Sequence, residues 1–288
     1  MKRGLRLWER QLGIEGLALL RLRYAEDASV ADRVVDELRA VLASADDPAT
    51  QQERRYPVLG PAEGYARWAA VYDAPGNPVV SHEETHAREL MGPGEPILDA
   101  ACGTGRHLAW LHAEGRRVVG VDQSPEMLAR ARQKAASADL RLGRLEDLPI
   151  DDSSMAGVVC ALALEHVENL GLVFREFRRT LRPGGWLVVS VMHPLMAQIP
   201  GWTAWFTDEQ GRADVATHFH NVSDYINGAL DAGFQLRHSR EVPLDLSGFE
   251  SLGPPATELG SRIAVDGLPL VLLLHFQVGP SGPHHALR

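Results

Sequence analysis

The chain of 288 residues reads as a doubly wound α/β protein: a mainly parallel seven-stranded sheet, closed by an antiparallel hairpin and preceded by a helical N-terminal extension. Three observations predict this. From about residue 82 onward, short apolar runs alternate with helical segments, the pattern of βαβ units. The first of these runs, Pro96-Ile97-Leu98, ends in Asp99 and a small-residue turn with two closely spaced glycines, Gly103 and Gly105. Near the end, residues 235–242 and 268–278 are long enough to pair as closing strands.

Taken in order, residues 5–23 place Leu5, Trp8, Leu12, Leu19 and Leu22 at helical spacings, although Gly13 and Gly16 each cost about 1 kcal/mol relative to Ala inside a helix. A second helix is expected over 30–43, with Ser29 as its cap and Val30, Val34, Leu38, Val41 and Leu42 on one face. These helices could pack on the core as a hairpin or act as a lid. Residues 44–62 read as a polar, Pro-punctuated linker, and Tyr65, Trp68 and Tyr72 then form an aromatic helix face. A helix over 82–90 precedes the first strand, 97–99, and another opens at 108–113. The second strand, 117–122, ends in Asp122. A helix follows it with Ser124 at the cap, Pro125 at the first helical position and Glu126 in the first turn. Residues 140–142 and 156–162 supply the third and fourth strands, the latter continuously apolar as befits a strand covered on both faces. After a helix through Phe174 and Leu181, Arg182-Pro-Gly-Gly185 reads as a turn into the fifth strand, 186–191. A helix over 222–232 ends at Gly233, a suitable C-terminal cap.

Composition narrows the partners. The net charge of −9 argues against a nucleic-acid partner, since such proteins usually carry a basic face. Two cysteines, Cys102 and Cys160, are too few for a zinc cluster and suit small core residues better than a disulfide scaffold. No stretch approaches the roughly 20 apolar residues of a membrane span. The N-terminal stretch, with Glu9, Arg10 and Glu15 where a secretory leader would be apolar, leaves the cytoplasm as the expected location.

The turn at Asp99-Ala100-Ala101-Cys102-Gly103-Thr104-Gly105 lets backbone approach a ligand where a side chain would block it. A dinucleotide fingerprint needs a third small residue three positions on, but Leu108 stands there, and the Lys-Ser/Thr ending of a phosphate loop is missing. The pattern resembles the first motif of the class I S-adenosylmethionine-dependent methyltransferases, whose sheet is Rossmann-like. The resemblance extends over roughly residues 65–279. It implies a methyltransferase domain over 61–288 and an extension with linker over 1–60. It also implies S-adenosyl-L-methionine as cofactor, with S-adenosyl-L-homocysteine as product. By that resemblance Asp99, Ala100, Gly103, Gly105 and His107 form the loop that holds the cofactor, and Tyr72 with Asp73 folds over its methionine end. Asp122 matches the acid that binds the ribose hydroxyls, with Gln123 and Met127 flanking the adenine. Leu145, Glu146 and Asp147 match the adenine cradle. Arg144, where the family often has an Asp, leaves the amine contact to Glu146, Asp147 or the backbone of Leu145. Ala161 and His166 match the segment beside the methionine moiety.

Methyl transfer needs alignment more than acid–base machinery, but an acceptor bearing a proton calls for a base. The candidates are His193, at the end of the fifth strand, together with His166 and Glu165; His218 and His220 lie farther along the chain. No metal set is expected. The chain lacks both the Asn/Asp-Pro-Pro-Tyr/Phe motif of amino-methylating DNA enzymes and a Pro-Cys nucleophile. The aromatic stretch Gly201-Trp-Thr-Ala-Trp-Phe206 suits a small aromatic acceptor of specialised metabolism, methylated at carbon, nitrogen or oxygen, although it could equally seal the domain or form a homodimer contact. A protein or RNA methyltransferase and a non-catalytic cofactor-binding module stand as the alternatives.

Overall fold

A computed structural model describes residues 5–24, 28–53, 55–199, 201–247 and 258–279. The chain divides into two units, Met1–Pro57 with Pro243–Leu268, and Val58–Val242 with Pro269–Arg288.

In the first unit, α1 (Leu7–Arg21) packs on α2 (Ala28–Ala43) and on the helix Leu259–Val265, burying Ala18, Val34 and Ala264. Gly13 and Gly16 do not interrupt α1, and each faces open space. Ser29 is not the cap of the second helix: α2 already includes Ala28, so Ser29 lies within its first turn.

The second unit begins with β1 (Val58–Leu59) and α3 (Pro61–Trp68), so the end of the expected linker is structured. Next comes α4 (Pro78–Leu90), four residues longer at its start than the sequence suggested, because Asn77 caps it and accepts from the Val79 and Val80 backbone. The alternation then runs β2 (Ile97–Ala100), α5 (Arg106–Ala113), β3 (Val118–Asp122), α6 (Pro125–Lys134), β4 (Asp139–Leu142) and β5 (Met155–Ala161). It continues through α7 (Leu170–Thr180), β6 (Leu181–Met192), α8 (Pro194–Ala197), β7 (Trp205–Asp208), β8 (Gly211–Val215), α9 (Val222–Asp231), β9 (Phe234–Pro243) and β10 (Pro269–Val278). Ser124 caps α6 as expected, accepting from Met127 N.

The main sheet has the order β4-β3-β2-β5-β6-β10-β9. Its first five strands are parallel, β10 runs antiparallel to β6, and β9 completes the closing hairpin at the edge. The helix α7 shows how the sheet is covered. Leu170, Val173, Phe174 and Phe177 recur at helical spacing and are buried, and Phe174 meets Phe276 of β10 edge-on at 6.3 Å. Each such side chain contributes about 1.5–3 kcal/mol by leaving water. Arg182-Pro-Gly-Gly185 is not a free turn. It lies inside β6 as a bulge, opposite the step between Met155 and Gly157, with Gly184 at φ +74°. A small second sheet of order β1-β8-β7, which sequence reasoning did not foresee, carries the residues after α8. Cys102 and Cys160 are both free and buried.

Candidate functional site

The carboxyl ends of β2, β3 and β5 lie side by side, and the loops that leave them form the site. After Ala100 the chain turns through Ala101 (φ 57°), Gly103 (φ 53°) and Gly105 (φ 80°). The two glycines do different work. A Cβ on Gly103 would project into open space, so the backbone there is bare toward whatever occupies the site. A Cβ on Gly105 would lie 3.0 Å from that of Ala131, so this glycine lets α5 and α6 approach. Leu108, which stood where a dinucleotide fingerprint has its third small residue, is accommodated because Gly120 on β3 leaves room; a Cβ on Gly120 would collide with the Leu108 side chain.

Two carboxylates fix this loop. Asp99 accepts from Leu108 N at 2.9 Å, and burial pushes its carboxyl up to about 6, with His107 countering. Asp122 accepts from Gly103 N at 2.8 Å on one oxygen and from Ser124 N at 2.9 Å on the other. Burial raises its carboxyl, while these backbone N–H groups and that of Gln123 pull the other way. Each oxygen keeps a lone pair for a further donor. Met127 and Leu145 are buried near the ends of this loop system, whereas Glu146 pairs with Arg144 at 3.4 Å and Asp147 N donates to the Arg144 carbonyl.

Glu83, Ser190 and Lys134, for which the sequence analysis assigned no role, hold the loop from outside. Glu83 on α4 is fully buried and accepts from Arg106 (3.2 Å), His107 Nε2 (3.1 Å) and Ser190 (2.9 Å). Burial alone would raise its carboxyl, but His107, Arg106 and Ser190 together bring it down to about 2. His107 is thus turned toward Glu83, and its Nδ1 is buried with no partner. Thr104 donates to Asp73 at 2.7 Å, and Lys134 bonds both, at 2.8 Å to Asp73 and 3.0 Å to Thr104, tying the segment after Tyr72 to the glycine loop.

On the other side, β5 ends at Ala161, and Leu162 takes a positive φ of 53° before the one-turn helix Leu164–His166. His166 Nδ1 donates to the Ala216 carbonyl at 2.7 Å, so in the neutral ring Nε2 is the acceptor and takes a 2.8 Å hydrogen bond from the Tyr65 hydroxyl. Burial lowers the basicity of His166 and raises the Tyr65 phenol well above its usual range. Tyr65 stacks on Trp68 (5.6 Å), Trp68 meets Tyr72 (5.1 Å), and Phe206 of β7 stacks on Trp68 (5.5 Å), forming an aromatic wall. Glu165 lies half-buried beside it with Oε2 enclosed and unpartnered, and desolvation pushes its carboxyl up to about 7.

The structure gathers most of the expected residues but turns His193 to another task. Its Nδ1 accepts from Leu195 N at 3.1 Å as the cap of α8, and its Nε2 faces Glu241 at 3.2 Å, so both ring nitrogens are engaged. His220 Nε2 donates to the Val167 carbonyl. Among the described residues, no group of three or more His, Cys, Asp or Glu could hold a metal ion, and no helix is long and apolar enough to cross a membrane. The bare backbone at Gly103, the spare lone pairs of Asp122 and the unpartnered oxygen of Glu165 fit a polar, cationic nucleoside of the kind the glycine motif suggests.

A family model described as a methyltransferase domain matches residues 98–189. An uncharacterised methyltransferase of Emericella nidulans is 30% identical over 227 residues, which cover 64% of this chain and 77% of that protein. A malonyl-[acyl-carrier protein] O-methyltransferase of Serratia marcescens is 32% identical over 136 residues, 46% of this chain and 52% of its own length; the chain spans only about half of that relative. The crystal structure of an S-adenosylmethionine-dependent methyltransferase from Mesorhizobium loti superposes with a TM-score of 0.52 at 25% identity, covering 67% of this chain and 96% of that one.

Proposed function

The chain belongs to the class I S-adenosylmethionine-dependent methyltransferases, and from that premise we propose that it methylates a small aromatic acceptor at carbon, nitrogen or oxygen. The observation that carries this reading is the half-buried aromatic wall of Tyr65, Trp68 and Tyr72, backed by the buried Phe206 and joined to His166 by the Tyr65 hydrogen bond. Planar rings stack on such a wall, worth about 0.5–1.5 kcal/mol per pair beyond their burial.

When bound, S-adenosylmethionine supplies an electrophilic methyl group on a sulfonium. In this reading Asp122 receives the ribose hydroxyls, the bare backbone at Gly103 lies against the cofactor, and Met127 with Leu145 encloses the adenine. Tyr72, pinned by the Asp73–Thr104–Lys134 ties, covers the methionine end. His166 serves as base through Tyr65. Its Nδ1 proton is fixed on the Ala216 carbonyl and its Nε2 accepts the Tyr65 hydroxyl, so the Tyr65 oxygen takes the acceptor proton as it passes its own to Nε2. An acceptor without an acidic proton needs only the alignment.

The test is transfer of label. A cell extract incubated with the enzyme and methyl-labelled S-adenosylmethionine should place label in small, solvent-extractable aromatic compounds. Label recovered in protein or RNA would overturn the acceptor class and favour the macromolecular alternative. Donor binding with no transfer to either fraction would favour a non-catalytic module.

A further inference from the structure

Glu165 holds a feature that acceptor chemistry does not use. The backbone N–H groups of Glu165 and Met192 favour the ionised carboxyl, yet Oε2 is enclosed without any partner. An orphaned carboxylate oxygen in the interior is costly, and it persists where something else completes it. The groups facing it are Tyr65 from α3, Tyr72 from the following turn, Glu83 from α4, Cys160 from β5, Tyr225 from α9 and its neighbour His166. His218 approaches through its backbone, donating to the Glu165 carbonyl. None of these gives Glu165 an ion pair. The nearby guanidinium of Arg106 is committed to Glu83.

The placement matters as much as the missing partner. Glu165 leaves the carboxyl end of β5, which pairs directly with β2, the strand that feeds the glycine loop. Tyr65 and Tyr72 feel both Glu165 and Asp122, so the two acids bracket the same phenols. A cation seated between the glycine loop and this turn would lie beside a carboxyl whose enclosed Oε2 no other positive charge neutralises.

We propose that Glu165 is the counter-charge for the donor's sulfonium: it is protonated while no cation is present and ionises when the sulfonium arrives, so that the site favours the charged donor over its neutral demethylated product. This rests on the methyl-donor reading of the site. The proton leaves Glu165 for solvent, and no bond other than O–H is broken. A nearby opposite charge favours the ionised carboxyl, and the uncharged product thioether offers no such help. The discrimination therefore rises with pH through the range in which this carboxyl, at about 7, titrates, and levels off above it. After methyl transfer, the loss of the positive charge leaves ionised Glu165 uncompensated, so it recaptures a proton and product release is eased.

Calorimetry of S-adenosylmethionine and S-adenosylhomocysteine binding tests this, run near pH 6.3 in two buffers of different ionisation heat. The wild type should release close to one proton more with the sulfonium ligand than with the thioether. In Glu165→Gln that difference should vanish, and the affinity ratio between the two ligands should fall about tenfold and lose its pH dependence. Equal proton counts for both ligands and a pH-independent ratio in the wild type would overturn the charge role while leaving the site assignment standing. If neither ligand binds, the site assignment itself falls, and this role with it.

Discussion

Glu83, fully buried, and Glu165, half-buried with one oxygen enclosed, are two glutamates of one site, and their carboxyls are driven in opposite directions. Glu83 is brought down to about 2 and Glu165 raised to about 7. Burial acts on both in the same sense. The difference lies in the partners: Glu83 faces Arg106, His107 and Ser190, while Glu165 has only backbone N–H groups and an oxygen left over. A buried carboxylate with its cations in place is scaffold, and one without them is open to a ligand's charge.

The largest effect that would sharpen this contrast is on Glu83. Glu83→Gln leaves Arg106 and His107 in a buried setting without their counter-charge, and should cost about 3–5 kcal/mol in urea unfolding at pH 7. A loss under 1 kcal/mol would show that the cluster is not holding the glycine loop. Because the folded carboxyl of Glu83 is depressed from 4.5 to about 2, its contribution is present above pH 4.5 and disappears as pH falls toward 2.

Glu165 should behave in reverse. Its folded carboxyl is raised from 4.5 to about 7, so without ligand it detracts from stability increasingly between those values and by a constant amount above them. Glu165→Gln should therefore gain on the wild type by on the order of 2–3 kcal/mol between pH 4.5 and pH 8. Unfolding curves of the two proteins that stay parallel across that range would break the comparison.

Asp122→Ala removes a charged acceptor, and should weaken S-adenosylhomocysteine binding by roughly 10- to 100-fold, since hydrogen bonds to charged groups are worth about 1.5–3 kcal/mol. Unchanged affinity by calorimetry would contradict the assignment. The smallest expected effects separate the two glycines. Gly105→Ala, at φ 80° and 3.0 Å from Ala131, should lose about 2 kcal/mol of stability. Gly103→Ala, facing open space, should lose about 1 kcal/mol yet impair ligand binding more. The opposite ranking in both measurements would mean that the open side of the loop is not the ligand side.

What could be read from the sequence was what neighbouring residues determine. The strand ends, the Ser124 cap, the turn at Gly103 and the acid at Asp122 are all local patterns, and the structure places them where those patterns suggest. The misses are long-range. Glu83 meets His107 across 24 positions, and Tyr65 meets His166 across 101, so no spacing rule links them. One signal for Glu83 was available: it lies four residues from both Val79 and Ala87, on the face of α4 that turns inward, where an acid needs a partner. His193 was rightly placed at a strand end, but Pro194 begins a helix after it, and the ring became that helix's cap. The parallel pairing of β1 with β8 joins segments 156 residues apart in sequence, Val58 with Asp214, through a strand of only two residues.

A crystal structure with S-adenosylhomocysteine bound tests the central claim most directly. The account predicts ribose hydroxyls on the Asp122 carboxylate, the amino-acid portion against the backbone at Gly103, and the thioether within reach of Glu165 Oε2. Ligand found elsewhere, with Asp122 and Gly103 still facing solvent, would contradict it.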